Sequence, residues 1–216
     1  MKKILLSLCA VTMLLSGCSK KYNSVSEYTA AMQTVKNAAN CYTIEFQQDN
    51  SKYKTKSYIC KNKWKVEMSA TNGEPYANKT LMFDGTDYTI QTYGSNFAVV
   101  IPQGDPEEME LLNPAYYIVN WEKLSTSTPT FVNQQDNKNG FDCRTISWSD
   151  GSEACISDKY GIAVYAKYNN IFNKSNIINI SNINVNDITD SAIQLPNDVH
   201  KLDMKQLRSL KFSRLD

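Results

Sequence analysis

The sequence is poor in the groups on which most catalytic and metal sites depend. It contains one histidine, His200, which follows Pro196 in a polar C-terminal segment, and no Cys-x-x-Cys motif. A Ser–His or Cys–His catalytic pair within the domain is therefore excluded, and a zinc site is disfavoured. The net charge at neutral pH is only +1, so the chain has no electrostatic attraction for nucleic acid. We expect no enzyme activity, no cofactor, no metal site and no nucleic-acid partner.

The chain also lacks an apolar run long enough to span a membrane as a helix, which takes about 20 residues. A mainly apolar run extends from Ile4 to Leu15, after two lysines and before small residues that end at Cys18. This order is typical of a secretory signal peptide. Residues 15–18, Leu-Ser-Gly-Cys, resemble the lipobox of bacterial lipoprotein signals. The resemblance implies that residues 1–17 are removed and that Cys18 receives a diacylglyceryl thioether. A chance cysteine in an ordinary secreted protein is the alternative interpretation.

The predicted mature chain is one domain on a short tether. Removal of 17 of the 216 residues leaves 199, with 21 basic and 22 acidic residues, which suffices for one domain with a substantial core. The chain has no polybasic segment, so membrane attachment depends on the lipid at Cys18, and stable attachment needs two or more acyl chains. Residues 18–26 are expected to form the tether. Ser19, in place of aspartate, resembles the enterobacterial signal for the outer membrane, and we expect the periplasmic face of that membrane.

Four cysteines follow the predicted lipidation site. An even number of cysteines in an exported chain indicates disulfides, and four of them allow three pairings. Strand register favours the local pairs. A two-residue hairpin loop at 50–51 places the first two cysteines opposite each other, and a loop with an odd number of residues, such as 147–151, does the same for the last two. Both bridges are expected on the polar face of their strands, and they join Cys41 to Cys60 and Cys143 to Cys155.

Hydrophobic periodicity predicts an early helix followed by a long antiparallel meander. Residues 26–39 carry an apolar stripe at helical spacing. From Cys41 the period changes to two, and six strands are predicted between Cys41 and Ile101. The clearest is the third, in which Trp64, Val66 and Met68 alternate with charged residues.

The second half of the chain is predicted to continue the sheet after an insert. Residues 102–128 break the alternation and are expected to form a partly helical lid, with a short helix at 105–112. Strands then resume from Thr130 to Tyr168 and at 177–185. The domain is expected to end at Val199, and residues 200–216 to form a polar tail.

This order of elements resembles the periplasmic lipoprotein carriers of the LolA and LolB type and the lipid-binding lipoproteins of mycobacteria. The resemblance implies an α+β fold over residues 27–199: a curved, unclosed antiparallel half-barrel whose helices cover the concave face and leave an apolar cavity. The chain has no match for the arginine with which those carriers hold their lid shut, since Arg144 lies in another part of the sequence. The matching stretches are Phe46–Gln48, Lys63–Met68, Met82–Tyr88, Ile156–Val164 and Ile193–Val199.

On such a fold, the inward-facing apolar positions of the strands would hold an acyl chain, a lipid or a lipoprotein. Each of these positions also fits an ordinary packed core. The alternative function is therefore a structural or protein-interaction lipoprotein of the envelope, with a filled core and a protein partner. The candidate ligand-binding residues are Tyr42, Ile44, Phe46, Trp64, Val66, Met68, Leu81, Phe83 and Ile90.

Overall fold

A computed structural model describes residues 21–49, 51–73, 78–92, 95–101, 113, 115–169, 175–203 and 206. The predicted signal peptide, Cys18 and the predicted helix at 105–112 lie outside these residues. Within them the protein is mostly β, with one helix of 14 residues, α1 (Val25–Ala38), and one of four, α2 (Tyr116–Val119). The expected α+β class therefore overstates the helical content. None of the described helices has the length and apolarity that spanning a membrane requires.

In the described part of the chain, one large unclosed sheet contains all thirteen strands. Its order is β13-β6-β5-β4-β3-β2-β1-β12-β11-β10-β9-β7, and β8 pairs with β9 beside this path. All neighbours are antiparallel except β13, which runs parallel to β6. The six strands predicted between Cys41 and Ile101 are confirmed, and the sheet extends beyond Val199 through β13. The strands are Cys41–Gln48, Tyr53–Cys60, Lys63–Ala70, Lys79–Phe83, Tyr88–Thr92, Phe97–Ile101, Pro129–Phe131, Asp136–Lys138, Phe141–Trp148, Glu153–Ser157, Ala163–Asn169, Ser175–Val185 and His200–Leu202, numbered β1 to β13 in that order.

The main core lies on the face of the sheet that α1 covers, called here the helix face. Ser24 caps the N-terminus of α1, because its hydroxyl accepts a hydrogen bond from the Glu27 backbone N–H. Its apolar stripe buries Tyr28 and Met32. The helix face also receives α2 and the following 3₁₀ turn, whose Trp121 is 1 % exposed. The main core is thus built on β1 and β9 to β12.

The opposite face, called the tail face, is covered in part by the chain between β12 and β13. Ile193 packs there against Met82 and the Cys41–Cys60 disulfide. The Thr43 hydroxyl donates a hydrogen bond to Asp187 over 3.0 Å. This disulfide lies on the face away from Tyr42, as expected. It is nevertheless buried rather than solvated, because the segment between β12 and β13 packs over it through Ile193.

The structure also contains the Cys143–Cys155 disulfide, with a different register from the one expected. Cys143 pairs with Ser157 and Cys155 with Thr145, so the bridge runs diagonally between β9 and β10. The cause is a tighter turn, in which the Trp148 N–H donates to the Ser152 carbonyl. The loop is therefore residues 149–151, and Gly151 takes the left-handed conformation with φ +84°. A register shift of two residues preserves the face, which is why the disulfide still forms.

The contact between α1 and the turn after β10 depends on Gly161. This residue has φ +70°, and a Cβ on it would overlap the Met32 carbonyl and lie 2.6 Å from the Lys36 nitrogen. Its carbonyl accepts a hydrogen bond from the Trp121 indole over 3.1 Å. Only glycine combines this conformation with so close an approach to the helix backbone.

Substitution Gly161→Ala is expected to lower the free energy of unfolding by about 3 kcal/mol or more, because the new Cβ must push α1 off the sheet. Gly151→Ala is the matched control. Gly151 has φ +84°, but no atom lies within 4 Å of the place that a Cβ would take, so the change should cost only the left-handed strain of about 1–2 kcal/mol. Urea denaturation measures both values, and equal losses would contradict the close packing of α1.

Candidate functional site

The helix face of β3 to β6 carries a second apolar cluster, separate from the main core. Trp64, Val66 and Tyr88 are its buried members. The register creates it, because directly opposite residues on neighbouring strands share a face. One row runs from Trp64 through Phe83 to Tyr88, and the next contains Val66. We call this set the strand cluster; its partly buried members are Ile59, Met68, Leu81, Phe83 and Ile101.

Three aromatic rings form the rigid part of the strand cluster. Phe83 and Tyr88 stack with their centroids 4.4 Å apart. The Trp64 ring lies 5.9 Å from Tyr88 and 6.5 Å from Phe83. Offset and tilted contacts at these distances are favourable beyond the area they bury. The rings therefore offer a preformed apolar wall.

A cavity of about 220 Å³ adjoins this wall. Ile59, Trp64 and Phe83 line one side of it, and Tyr116 and Val119 of α2 line the other. Polar groups complete the lining at Lys61, Asn62, Asn113 and Asn120. The volume lies below the ~300–1,000 Å³ usual for ligand pockets. A ligand larger than a short acyl chain would therefore extend from the cavity over the side chains of Leu81 and Met68, which are half-buried.

The structure divides the nine predicted ligand-binding residues into two groups. Trp64, Val66, Met68, Leu81 and Phe83 belong to the strand cluster, and Ile90 pairs with Leu81 beside it. The other three, Tyr42, Ile44 and Phe46, lie in the main core.

The three core residues have packing roles. Ile44 is fully buried. The Tyr42 hydroxyl lies 3.1 Å from the Lys36 carbonyl and 2.9 Å from the Tyr160 carbonyl, and burial raises the pKa of this phenol to about 12. Such a hydroxyl remains a hydrogen-bond donor and connects α1 to the turn after β10. These residues are therefore placed to hold the helix rather than a ligand.

Sequence reasoning missed Tyr88 and Ile101, which complete the rows of the strand cluster, and Tyr116 and Val119 across the cavity. The alternation of β5 and β6 contained a signal for the first two: Ile101 pairs with Tyr88, whose own register follows from the turn between β4 and β5. That turn is held by the Asp84 carboxylate, which accepts backbone N–H groups from Thr86 and Asp87. These bonds lower the pKa of Asp84, against the opposing effect of its burial. The position of α2 agrees with the partly helical insert predicted over 102–128, although its residues were not among the candidate ligand-binding positions.

Ser57 is a polar residue between the main core and the strand cluster. It lies on β2 between Ile44 of β1 and Val66 of β3 in the register. Its side chain is fully buried, and its hydroxyl has no hydrogen-bond partner among the described residues. A buried hydroxyl without a partner costs free energy, so the fold carries a local penalty at the border of the candidate site.

Two other features of the described residues do not qualify as the site. A groove of about 760 Å³ on the tail face is lined largely by polar and charged groups, including the Glu45–Lys56 ion pair at 3.1 Å, and offers no continuous apolar wall. Cys41, Cys60 and Asp190 lie within reach of a common ion, but the disulfide removes both thiolates as ligands.

The fold has relatives among solved structures. An uncharacterized conserved protein from Thermus thermophilus aligns with a TM-score of 0.53 and 10 % identity over 82 % of this chain and 99 % of its own. LprF from Mycobacterium bovis aligns at 0.43 and 11 %, over 81 % of this chain and 98 % of its own. A LolA superfamily protein from Nitrosomonas europaea aligns at 0.31 and 8 %, over 76 % and 97 %.

The expected structural similarity to the LolA superfamily is thus found at low sequence identity, together with a similarity to LprF. No family model and no curated sequence matches the chain. Identities of 8–11 % concern the fold alone and transfer neither ligand nor activity. The alignment with the Thermus thermophilus protein, at a TM-score of 0.53, shows a shared fold.

Substitution Ser57→Ala is expected to leave the free energy of unfolding unchanged or to raise it by up to about 1 kcal/mol, because it removes an unsatisfied hydroxyl. Thr43→Val is the matched control. Thr43 is as deeply buried, on the neighbouring strand, but its hydroxyl donates to Asp187, so its loss should cost about 1 kcal/mol. Thermal denaturation compares the two, and a Ser57→Ala loss equal to that of the control would show that the hydroxyl has a partner.

Proposed function

We propose that the chain is an envelope lipoprotein that binds an apolar ligand, such as the acyl chain of a lipid or of a lipoprotein, on the strand cluster. The observation that carries the proposal is the composition of this cluster. Its described members all belong to strands β2 to β6, whereas the main core also includes α1 and α2. An apolar face lined by strands and adjoining a cavity is suited to a ligand with an apolar body.

The free energy available from burying an acyl chain on the strand cluster is sufficient for binding. Burial of ten methylenes against such a face is worth ~8 kcal/mol at ~0.8 kcal/mol each, before the entropic costs of association. The polar groups of the cavity, Asn113 and Asn120 among them, suit the polar end of an amphiphile. The aromatic wall of Trp64, Phe83 and Tyr88 suits its chain.

The proposed role is binding rather than catalysis. The single histidine of the sequence lies on β13 with its ring 5.9 Å from that of Phe97, at the edge of the sheet. The two disulfides fit a location outside the cytoplasm. Anchoring through Cys18 at the periplasmic face of the outer membrane completes the proposal, with the membrane and the bound lipid as partners. A structural or interaction role with an envelope protein follows if the strand cluster proves to be filled core.

Val66→Trp is expected to weaken binding of a fluorescent fatty acid by at least tenfold, because Val66 is fully buried in the strand cluster and a tryptophan there occupies the space of the ligand. Ser69→Trp is the matched control, since Ser69 is exposed on the tail face of the same strand. Fluorescence titration gives the dissociation constants.

Circular dichroism monitors the fold of these variants. Because overpacking at Val66 can itself destabilise a protein, Leu81→Gln at a half-buried position provides a second test. Equal affinities of parent, Val66→Trp and Leu81→Gln, or no measurable binding by the parent, would contradict a ligand on the strand cluster and favour the interaction role.

Cys18→Ser is expected to release the protein from the membrane fraction or to block its processing, because serine cannot form the thioether. Cys9→Ser is the control within the same leader and should leave attachment unchanged. Membrane fractionation and the mass of the mature N-terminus measure both. Normal processing of Cys18→Ser with full retention in the membrane would contradict lipid anchoring.

A further inference from the structure

The N-terminal end of the described chain is fastened to one edge of the sheet. Tyr22 is only 7 % exposed, although it lies just four positions after Cys18. The Asn133 side chain holds its backbone, since its amide N–H donates to the Tyr22 carbonyl over 2.8 Å and its oxygen accepts from the Tyr22 N–H over 3.4 Å. The Tyr22 ring packs edge-on against Tyr28, with centroids 4.9 Å apart.

A buried charged network supports this attachment. The Arg144 side chain is 1 % exposed and pairs with Asp158. Its Nε also donates to the Asn133 carbonyl over 3.0 Å, and its guanidinium lies 5.2 Å from the centre of the Tyr22 ring. The Tyr28 hydroxyl donates to the Ile156 carbonyl, 2.9 Å away. Burial raises the pKa of Tyr28 well above its usual value, so this phenol remains a donor.

Covalent geometry then limits how far the domain can stand from its anchor. Only Ser19, Lys20 and Lys21 separate Cys18 from Tyr22. Four residue steps span at most about 14 Å when fully extended. Resting on the proposed lipid at Cys18, we infer that the surface around Tyr22 lies on the lipid bilayer. We call it the anchor surface, and it comprises Lys21, Asn23, Val132, Gln134 and Gln135.

The chemistry of the anchor surface suits a bilayer headgroup region. Val132 is 52 % exposed, and the two glutamines beside it carry no charge. Three described carboxylates neighbour this surface, and all are engaged. The Asp136 carboxylate pairs with Lys138 over 3.2 Å. Glu27 accepts the Asn23 backbone N–H over 2.8 Å, and Asp158 pairs with Arg144. The exposed Lys21 adds an attraction of about 1 kcal/mol toward anionic headgroups when it lies near them.

The position of the anchor surface places the candidate ligand site far from the membrane along the sheet. Val132 follows β7, which is one edge of the sheet, while β13 is the other edge. Six strand spacings separate β9 from β3, about 29 Å along the sheet at 4.7–4.9 Å each. A ligand on the strand cluster is thus presented to the aqueous side rather than to the bilayer that carries the anchor.

Quenching of tryptophan fluorescence by brominated lipid tests this orientation. The full chain, made with its own leader and purified from membranes, is reconstituted into vesicles that contain brominated phosphatidylcholine. The native tryptophans at 64, 121 and 148 are buried, and the parent spectrum is subtracted. Val132→Trp is compared with Lys201→Trp, which lies exposed on β13. We expect the added emission at 132 to be quenched at least twofold more strongly than that at 201.

A longer tether provides the second measurement. Insertion of ten Gly and Ser residues between Ser19 and Lys20 should reduce the quenching at 132 toward that at 201. The inferred orientation is wrong if quenching is equal at both positions with the natural tether, or if the insertion leaves the quenching at 132 unchanged. Either result is compatible with a lipid at Cys18. Absence of the parent chain from the membrane fraction overturns the lipid at Cys18, and the inference with it.

Discussion

Among the described residues, one long helix lies on a sheet that is much wider than itself, and the rest of the described structure follows from this mismatch. The 14 residues of α1 measure about 21 Å at 1.5 Å per residue. The twelve strands of the main path extend over about 53 Å at about 4.8 Å per spacing. Even laid across the strands, α1 covers less than half of the helix face. Within the described residues, α2 covers part of the remaining face, and the strand cluster occupies the rest of it.

Specific contacts along α1 fix its position over the β9 to β12 side of the sheet. Gly161 lets the backbone of the helix approach the turn after β10, and Tyr28 donates a hydrogen bond to the Ile156 carbonyl. The buried Arg144 pairs with Asp158, which also accepts a hydrogen bond from the Tyr28 hydroxyl in the first turn of α1. A buried ion pair is a weak source of stability, but the loss of one partner is strongly destabilising. Its effect here is to specify where the helix and the tether attach. The two ends of the sheet therefore differ in composition: one is the main core beneath α1, and the other is the strand cluster.

The sequence predicted the elements well where one pattern determined them. The alternation of β1 and β2 around a short polar turn set the pairing of Cys41 with Cys60. The register of β9 and β10 could not be read in the same way, because the left-handed Gly151 closes a three-residue loop that composition does not distinguish from a five-residue loop. Alternation also tells which face a residue occupies but not what covers it. The sequence pattern therefore could not separate the packing role of Tyr42 from the candidate binding role of Val66. In the structure, Tyr42 belongs to the main core that α1 covers, and Val66 belongs to the strand cluster. The cover of the tail face by Ile193 carries no periodic signal.

The account depends on the strand cluster holding an apolar ligand in the cell, and native mass spectrometry of the full chain extracted from its own membrane tests this most directly. The account predicts a species heavier than the lipidated chain by the mass of one amphiphile, which tandem fragmentation releases, and a depleted adduct when Leu81 is replaced by glutamine. A parent protein that carries only its covalent lipid, under conditions that preserve other lipid complexes, would contradict it.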